Sequence, residues 1–493
     1  MLFNSIDFLI FFPLVAAIFF VIPKKIRYIW LLIASYYFYM SWNPKYAILI
    51  ALSTFITYIS SIFIQKYNDQ NRIVFKKVCL AGSIVSNLSI LCLFKYANFI
   101  IINISKLLSI LNIGIIERRL DLLLPVGISF YTFQALSYTI DVYRGEIKAE
   151  TNIFKYALFV SFFPQLVAGP IERSKNLLCQ INNIDHISVW NFEQVKRGFL
   201  LIMWGLFQKL VIADRAALLV NTVFQHYQNY GFLEILTAAI LFAFQIYCDF
   251  GGYTNIARGS ACVMGFHLMN NFRQPYLAQN IKDFWRRWHI SLTSWFTDYL
   301  YIPLGGNRNG QHRKCLNILI VFGVSGLWHG ASWNFIVWGL LHAIYQIIGD
   351  IKHYLVFTPP HSKFTIFESK LFKCSIIRMT GTFLLVDFAW IFFASSSLRS
   401  AVSILAQMFR KFSTVGIYSI GLSKGNWIVL IVSILFLMTV DLLHERKIPV
   451  FKVFNQQVCI LRWILCVSLI WSIILFGIYG KAYDASQFIY FQF

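Results

Sequence analysis

The chain has 493 residues, of which 58% are hydrophobic and only 13% carry a charged side chain. A soluble domain usually has about 25% charged residues, and a large core does not explain the deficit, because its surface would still need charges. The composition therefore excludes an ordinary soluble protein. Length alone suggests about three soluble domains, but no break in composition separates any, so we predict one integral membrane domain over residues 1–493.

The formal net charge is +22, from 43 Lys and Arg against 21 Asp and Glu. The basic residues lie in short loops between apolar stretches, as in the residues 24–27 and 66–77, which is the positive-inside pattern of membrane proteins. We predict that both loops are cytoplasmic and contact anionic lipid headgroups. The same charges would attract a polyphosphate donor such as coenzyme A. No nucleic acid partner is expected.

Apolar stretches close to the roughly 20 residues that cross a bilayer recur along the chain, and the first is expected to be retained. The nine Cys residues show neither a CxxC pair nor metal-ligand spacing, so no disulfide framework or metal site is predicted. The stretch at 316–349 fits one long helix or two short ones. The predicted spans are 7–22, 28–42, 46–64, 78–94, 98–116, 123–140, 153–168, 198–213, 233–250, 316–349, 379–394, 426–443 and 462–480.

Residues 283–300 have a different pattern. At helical spacing most of their aromatic residues fall on one face, with Trp285 and Trp295 among them, and most polar residues fall on the other. This predicts one amphipathic helix that lies in the membrane interface and does not cross it. His289 is placed at the border of the apolar face. It is either a functional residue or a simple interfacial residue beside Arg286 and Arg287.

His329 lies inside the apolar run 316–349, where an ionisable side chain is costly and by default marks a functional site. Gly323, Gly326 and Gly330 share a face, which allows close approach of a neighbouring backbone, and Asn334 adds a polar group. An imidazole has an unperturbed pKa of about 6.5 and exchanges protons near neutral pH. The alternative is a buried histidine that only binds a neighbouring helix, and His342 lies in the same run.

Asp249 closes the apolar run LFAFQIYCDF. It is expected either to pair with Arg258 or to polarise a group in a cavity, and the alternative is a carboxylate at a helix end on the membrane surface. Pro125, Pro164 and Pro170 interrupt other apolar runs. Broken helices of that kind are tolerated where the backbone lines a cavity.

Six fragments, in order along the chain, carry a resemblance to a known family: LPVGISFYTFQALSYTIDVYRGE, SFFPQLVAGPIER, QIYCDFGGYTNIARG, PYLAQNIKDFWRRWHISLTSWFTDYLYIPLGGNR, SGLWHGASWNFIVWGLLHA and the closing FIYFQF. Through them the chain closely resembles the membrane-bound O-acyltransferase (MBOAT) family, above all its bacterial branch of alginate O-acetylases and peptidoglycan O-acetyltransferases. The resemblance implies a ring of transmembrane helices around a thin centre with a cytoplasmic funnel. It places the family's central catalytic histidine, in its WHG motif, at His329 and the second, in its WRRWH motif, at His289.

The resemblance also implies a function. An acetyl group would pass from a cytoplasmic thioester, acetyl-CoA or an acyl carrier, across the bacterial cytoplasmic membrane to an alginate-like exopolysaccharide, with a separate periplasmic acetyltransferase as partner. No bound cofactor is expected. The candidates for supporting roles at the site are Asp249, Trp328, Asn334 and Arg286.

The chain departs from many relatives at Asn255, where they have an acid, and in GPIERSKNLL, so other acceptors remain open. These are peptidoglycan and, with D-alanine as the group transferred, teichoic acid. A transporter and an export scaffold without acyl transfer are the alternatives from other classes. A transporter predicts paired intramembrane charges and inverted repeats, and we find neither pattern in the sequence.

Overall fold

The computed structural model describes residues 1–113, 120–122, 124–167, 169–188, 191–357, 375–412 and 420–479, with the backbone alone for 351–357. Throughout these ranges every regular element is helical. The helices are α1 (Ile6–Val21), α2 (Arg27–Met40), α3 (Ala47–Asp69), α4 (Ile73–Leu91), α5 (Ala97–Ile110), α6 (Ile128–Arg144), α7 (Ile153–Ser161), α8 (Phe163–Leu166), α9 (Cys179–Asn182), α10 (Phe192–Leu206), α11 (Asp214–Gln225), α12 (Phe232–Val263), α13 (Ile281–Arg287), α14 (Ile290–Phe296), α15 (Gly310–His329), α16 (Trp333–Phe357), α17 (Ser375–Ala394), α18 (Leu398–Arg410), α19 (Lys424–Glu445), α20 (Val450–Gln456) and α21 (Cys459–Phe476).

Six helical segments of the described residues are long and apolar enough to cross a membrane. Several of them turn large apolar side chains outward, and in α21 Ile460 is 74% and Trp463 67% exposed. Such a surface requires lipid, because a soluble monomer rarely exposes large apolar patches. The prediction of an all-α polytopic membrane protein is confirmed. The six segments are Pro44–Asp69, Ile73–Ile110, Phe232–Val263, Ser375–Ala394, Lys424–Glu445 and Cys459–Phe476.

The chain forms two compact units, of which the first comprises Met1–Ile202 and Thr254–Met269. Buried hydroxyl and amide groups join its helices, as where Ser53 donates to Asn87 at 2.5 Å and Tyr156 donates to Thr57 at 2.7 Å. Such hydrogen bonds hold helices together where lipid supplies no hydrophobic driving force. The prediction of one domain over residues 1–493 stays a prediction.

The predicted span 153–168 is wrong as a continuous helix. The structure ends α7 at Ser161 and begins the short α8 at Phe163, with Pro164 in its first turn. Proline fits the first turn of a helix because its missing N–H would have no partner there. The Phe163 N–H, which the break releases, donates to the hydroxyl of Ser35 at 3.0 Å.

The second unit comprises Met203–Tyr253 and Asn270–Phe493. Its central feature for function is the antiparallel pair α15 and α16, so the stretch 316–349 is two helices and not one. A Cβ atom on Gly326 would overlap the backbone carbonyl of Phe335, and one on Gly339 would overlap that of Phe322. The glycines therefore allow the two helices to pack backbone against backbone, and the tight connection that follows His329 places this residue at the turn.

Candidate active site

The predicted helix 283–300 is wrong as a single element. The structure divides it into α13 and α14, with Trp288 extended and His289 in the left-handed conformation at φ 43° and ψ 52°. A non-glycine residue held there costs on the order of 1–3 kcal/mol, and such conformations are concentrated at functional sites. The break turns His289 away from the helical face that periodicity assigned to it. The imidazole is fully buried, so His289 is not a simple interfacial residue.

Hydrogen bonds to Asn271, in the preceding segment, stabilise the interruption between α13 and α14. The Ile290 N–H donates to the backbone carbonyl of Asn271 at 2.9 Å. The Asn271 side-chain oxygen accepts from the Ser291 hydroxyl at 2.6 Å and from the Ser291 N–H at 3.3 Å. Both Asn271 and Ser291 are buried. Because the first N–H groups of a helix have no partner within it, Asn271 replaces the missing hydrogen bonds of α14 and fixes the backbone that carries His289.

His329 is the last residue of α15 and is 3% exposed. Aromatic rings surround its imidazole on several sides, with centroids at 4.9 Å for Trp328, 5.0 Å for Trp338 and 5.4 Å for Phe393. Gly330 is required directly after it, because a Cβ atom there would overlap the ring of Phe335. The result is a polar, proton-exchanging group in an apolar enclosure.

The two histidines that the WHG and WRRWH motifs single out lie together. Their ring centroids are 6.3 Å apart, with an angle of 63° between the planes. Trp328 contacts both rings, since its centroid also lies 5.9 Å from that of His289. Positioned general bases work over about 2.6–3.2 Å, so a reacting group would have to lie between the two rings to contact both imidazoles.

Burial lowers the pKa of His289 from its ordinary 6.5 to about 3. The cause is desolvation, which disfavours the charged form. His289 is therefore neutral across the physiological pH range, and a neutral imidazole has one ring nitrogen able to donate a hydrogen bond and one able to accept. A neutral imidazole suits the binding and orientation of a polar group more than the storage of a positive charge.

Asp249 is 2% exposed in the interior of α12, so its interpretation as a helix-end carboxylate is wrong. Its partner is Lys209, whose ammonium group donates to it at 2.5 Å and lies 2.8 Å from Asp214. The expected pairing with Arg258 is therefore wrong. Lys209 stands in a π-helical stretch, Phe207–Ala213, and π-helical turns are frequent at functional sites. The structure places Asp249 one residue before Phe250, which contacts His289.

The other three candidates occupy different positions. Trp328 contacts the rings of both histidines. Asn334 donates to the backbone carbonyls of Phe392 and Ser395 at 3.2 and 2.8 Å, so it binds the end of α17 and does not face the reacting centre. Arg286 is exposed on α13 and is not brought to the histidines. The neighbouring arginine instead makes the ion pairs, because Arg287 binds Glu445 at 2.6 Å.

His342 is also buried, but its surroundings differ from those of His329. Its Nδ1 accepts a hydrogen bond from the indole of Trp285 at 3.3 Å, and its ring stacks on Phe284 at 6.1 Å. These contacts identify His342 as a core histidine that joins α16 to α13. The structure thus distinguishes His329 from His342, which sequence position alone did not.

Sequence analysis missed Lys209 and Asn271. Lys209 carried a signal, because it is a lone charge within the apolar stretch 198–213 and such residues are expensive in a membrane. No feature of the local sequence identifies Asn271, because its hydrogen-bond partners lie about twenty residues further along the chain. Both contribute through other residues: Asn271 through the backbone of His289 and Lys209 through Asp249.

Comparison with known proteins shows the family of the chain. Residues 84–385 match the model of the membrane-bound O-acyltransferase family. The chain is 36% identical over 411 residues to the probable alginate O-acetylase AlgI of Pseudomonas syringae pv. tomato, covering 83% of this chain and 75% of that protein. It is 33% identical to the peptidoglycan O-acetyltransferase of Helicobacter pylori, over 77% of this chain and 73% of that one. A teichoic acid D-alanyltransferase of Streptococcus thermophilus is 30% identical over 46% of this chain and 56% of its own length.

An all-helical membrane fold, together with these matches, defines a membrane-bound acyltransferase. The chain belongs to the membrane-bound O-acyltransferase family.

Proposed function

We propose that the chain transfers an acetyl group from a cytoplasmic thioester toward an acceptor outside the membrane, with His329 as general base and His289 as the residue that orients the reacting group. The observation that carries the proposal is the 6.3 Å separation of the two buried imidazoles. The relatives named above support transfer of an acyl group, since their names specify acetyl transfer for the alginate and peptidoglycan enzymes and D-alanyl transfer for the teichoic acid enzyme.

The reaction requires that a proton leave the acceptor hydroxyl and that a proton reach the departing thiolate. His329 takes the proton of an acceptor hydroxyl as its oxygen attacks the thioester carbonyl. The tetrahedral intermediate then collapses, the carbon–sulfur bond breaks, and the departing thiolate receives the proton. A positioned base contributes about 10²–10⁴-fold to such a step. The aromatic enclosure of His329 excludes water, which would otherwise hydrolyse the thioester.

The donor, partner and location follow the same proposal. Acetyl-CoA is the donor favoured, with an acyl carrier protein as the alternative, and no cofactor is needed for the transfer. A separate periplasmic acetyltransferase would receive the acetyl group and complete its transfer. Basic loops at residues 24–27 and 66–77 support a cytoplasmic face by the positive-inside rule, and the proposed donor side is this face of the cytoplasmic membrane of a bacterium.

The acceptor proposed is an alginate-like exopolysaccharide. The Helicobacter relative favours peptidoglycan as a second candidate, because it matches nearly as much of the chain as the alginate relatives do. Mass spectrometry of exopolysaccharide and of cell wall from cells with and without the gene distinguishes the two. Loss of acetyl esters from exopolysaccharide alone supports the first acceptor, and loss from peptidoglycan alone supports the second. Unchanged acetylation of both, with D-alanine lost from teichoic acid, refutes acetyl as the group transferred.

A further inference from the structure

Helix α18, in the second unit, has two apolar faces. Its inner face consists of Ala401, Ile404 and Met408, which are buried. The other apolar face points outward, because Val402 is 54% and Phe409 is 70% exposed. Val402 and Phe409 are seven residues apart, or about two helical turns, so they lie on one side of the helix. This outer face therefore requires an apolar partner of its own.

Arginines border the outer apolar face. Arg399 and Arg410 are both exposed, and their separation of eleven residues is about three helical turns, so they also share one side. That side adjoins the apolar face, since Arg399 precedes Val402 by three residues and residues at this spacing are neighbours on a helix surface. An apolar row beside a basic row is typical of a helix that lies in the plane of a membrane interface.

The two ends of α18 lie beside the ends of two membrane spans. Its N-cap residue, Ser397, follows the last residue of α17 by three positions. Beyond its other end, the carbonyl oxygen of Lys411 accepts from the N–H of Phe232 at 2.9 Å, and Phe232 is the first residue of α12. The Lys411 ammonium also donates to the carbonyl of Asn229 at 2.9 Å. Since α12 and α17 are both long and apolar enough to cross a membrane, α18 connects places where spans end.

The length of α18 and its surroundings favour lipid as the partner. Its 13 residues rise about 20 Å, whereas the hydrocarbon core of a bilayer is about 30 Å thick, so α18 is too short to cross. The preceding span, α17, exposes Leu384 and Leu385 by 52% and 44%, and lipid must cover them. The outer face of α18 follows this lipid-covered surface after only three residues. Phe412, two residues beyond α18, adds a further apolar side chain that is 69% exposed.

We propose that α18 is an interfacial helix that binds the phospholipid surface of the membrane. Val402, Phe409 and Phe412 lie among the acyl chains, and Arg399 and Arg410 lie at the level of the headgroup phosphates. Long basic side chains keep their charge at this level while their stems cover apolar surface, and guanidinium groups bind phosphate oxygens. The proposal rests on exposure and contacts within the second unit and is independent of acyl transfer.

The test is photo-crosslinking of the full-length protein in phosphatidylcholine nanodiscs. The amino acid p-benzoylphenylalanine, which bonds covalently to nearby C–H groups under light, replaces Phe409 in one variant and Val402 in another. Mass spectrometry of the intact protein is expected to show a phospholipid adduct in both. Replacement of Ile460, which is 74% exposed in the span α21, is the positive reference. Replacement of Ser403, on the arginine side of α18, is the matched control and should give less adduct.

Two outcomes of the crosslinking overturn the proposal. The first is an adduct at Ile460 with none at Val402 or Phe409, which shows that water covers the outer face. The second is a covalent dimer at Phe409 in place of the lipid adduct, because a second copy of the chain then covers it. Gel filtration confirms that each variant is folded before irradiation.

A second measurement needs no substitution. Hydroxyl radicals oxidise side chains that water reaches, so footprinting of the unaltered protein in the same nanodiscs compares Phe409 and Phe412 with Trp463, which is 67% exposed in the span α21. Protection of both phenylalanines to the degree of Trp463, relative to the unfolded chain, is expected. Oxidation as strong as in the unfolded chain overturns the proposal. Neither measurement involves turnover, so failure of the proposed acyl transfer would leave both results unchanged.

Discussion

The ring of Phe250 lies edge-on against the imidazole of His289, with centroids 4.7 Å apart. Phe250 directly follows Asp249, whose carboxylate binds the buried ammonium of Lys209. The ion group Asp214–Lys209–Asp249 is therefore one residue away from a contact with the second histidine. This buried ion group therefore helps to position the His289 ring, through Asp249 and Phe250.

The first prediction concerns that ion group. Lys209→Met leaves two buried carboxylates without their cation, which is expected to destabilise the protein by about 3–5 kcal/mol. Asp249→Asn leaves the pair of Lys209 and Asp214 in place and is expected to cost less. Thermal unfolding in detergent, followed by tryptophan fluorescence, measures both. A Lys209→Met variant as stable as Asp249→Asn would show that the buried charges do not depend on each other.

The second prediction concerns the backbone of His289. Asparagine adopts the left-handed conformation readily, whereas a β-branched residue does not. His289→Val is therefore expected to be less stable than His289→Asn by about 1–2 kcal/mol, although both variants lose the imidazole and should both lose acyl transfer. Comparison of their unfolding temperatures and activities checks this. Equal stability of the two would contradict the strained conformation at this position.

The third prediction is a pH dependence of stability. Below pH 6.5 the unfolded chain binds a proton at residue 289, whereas the folded protein does so only near the lowered pKa of about 3. Stability that is fully present above pH 6.5 is therefore lost as the pH falls toward 3. Between pH 7 and pH 5 this group should account for about 2 kcal/mol. His289→Asn should lose correspondingly less over that interval, and an identical pH dependence of both proteins would refute the lowered pKa.

The fourth prediction uses two glycines of α15. Gly326→Ala would force a methyl group into the backbone of α16, and overpacking of this kind costs about 1–3 kcal/mol or more. Gly323→Ala places its methyl group 3.8 Å from the side chain of Leu340, which is ordinary contact. The first variant should unfold at a lower temperature and the second should not. Equal effects would contradict the close approach of α15 and α16.

Much of this architecture is predictable from composition and periodicity. The all-helical membrane fold follows from the apolar stretches, and the contact at Gly326 follows from the spacing of glycines on one face. The burial of His329 follows from its place in an apolar run. These features are local, so a single sequence contains them.

The division at His289 was not predictable in the same way. The aromatic residues of 283–300 follow helical spacing on both sides of the break, so the period continues through a residue whose φ is positive. The left-handed backbone at His289 depends on Asn271, which lies on a different segment. Its hydrogen bonds leave no pattern in the sequence. The pairing of Asp249 with Lys209 was equally unpredictable from the sequence, because the two residues meet only when α12 packs on the π-helical stretch.

The central claim is that His329 moves the proton in acyl transfer. The most direct measurement is transfer of labelled acetyl from acetyl-CoA in membranes that contain either the unaltered chain, His329→Ala or His342→Asn at matched amounts of folded protein. We predict that His329→Ala loses at least about 10²-fold in rate while His342→Asn, altered at a core histidine, retains transfer. Transfer by folded His329→Ala at the rate of the unaltered chain would contradict the account.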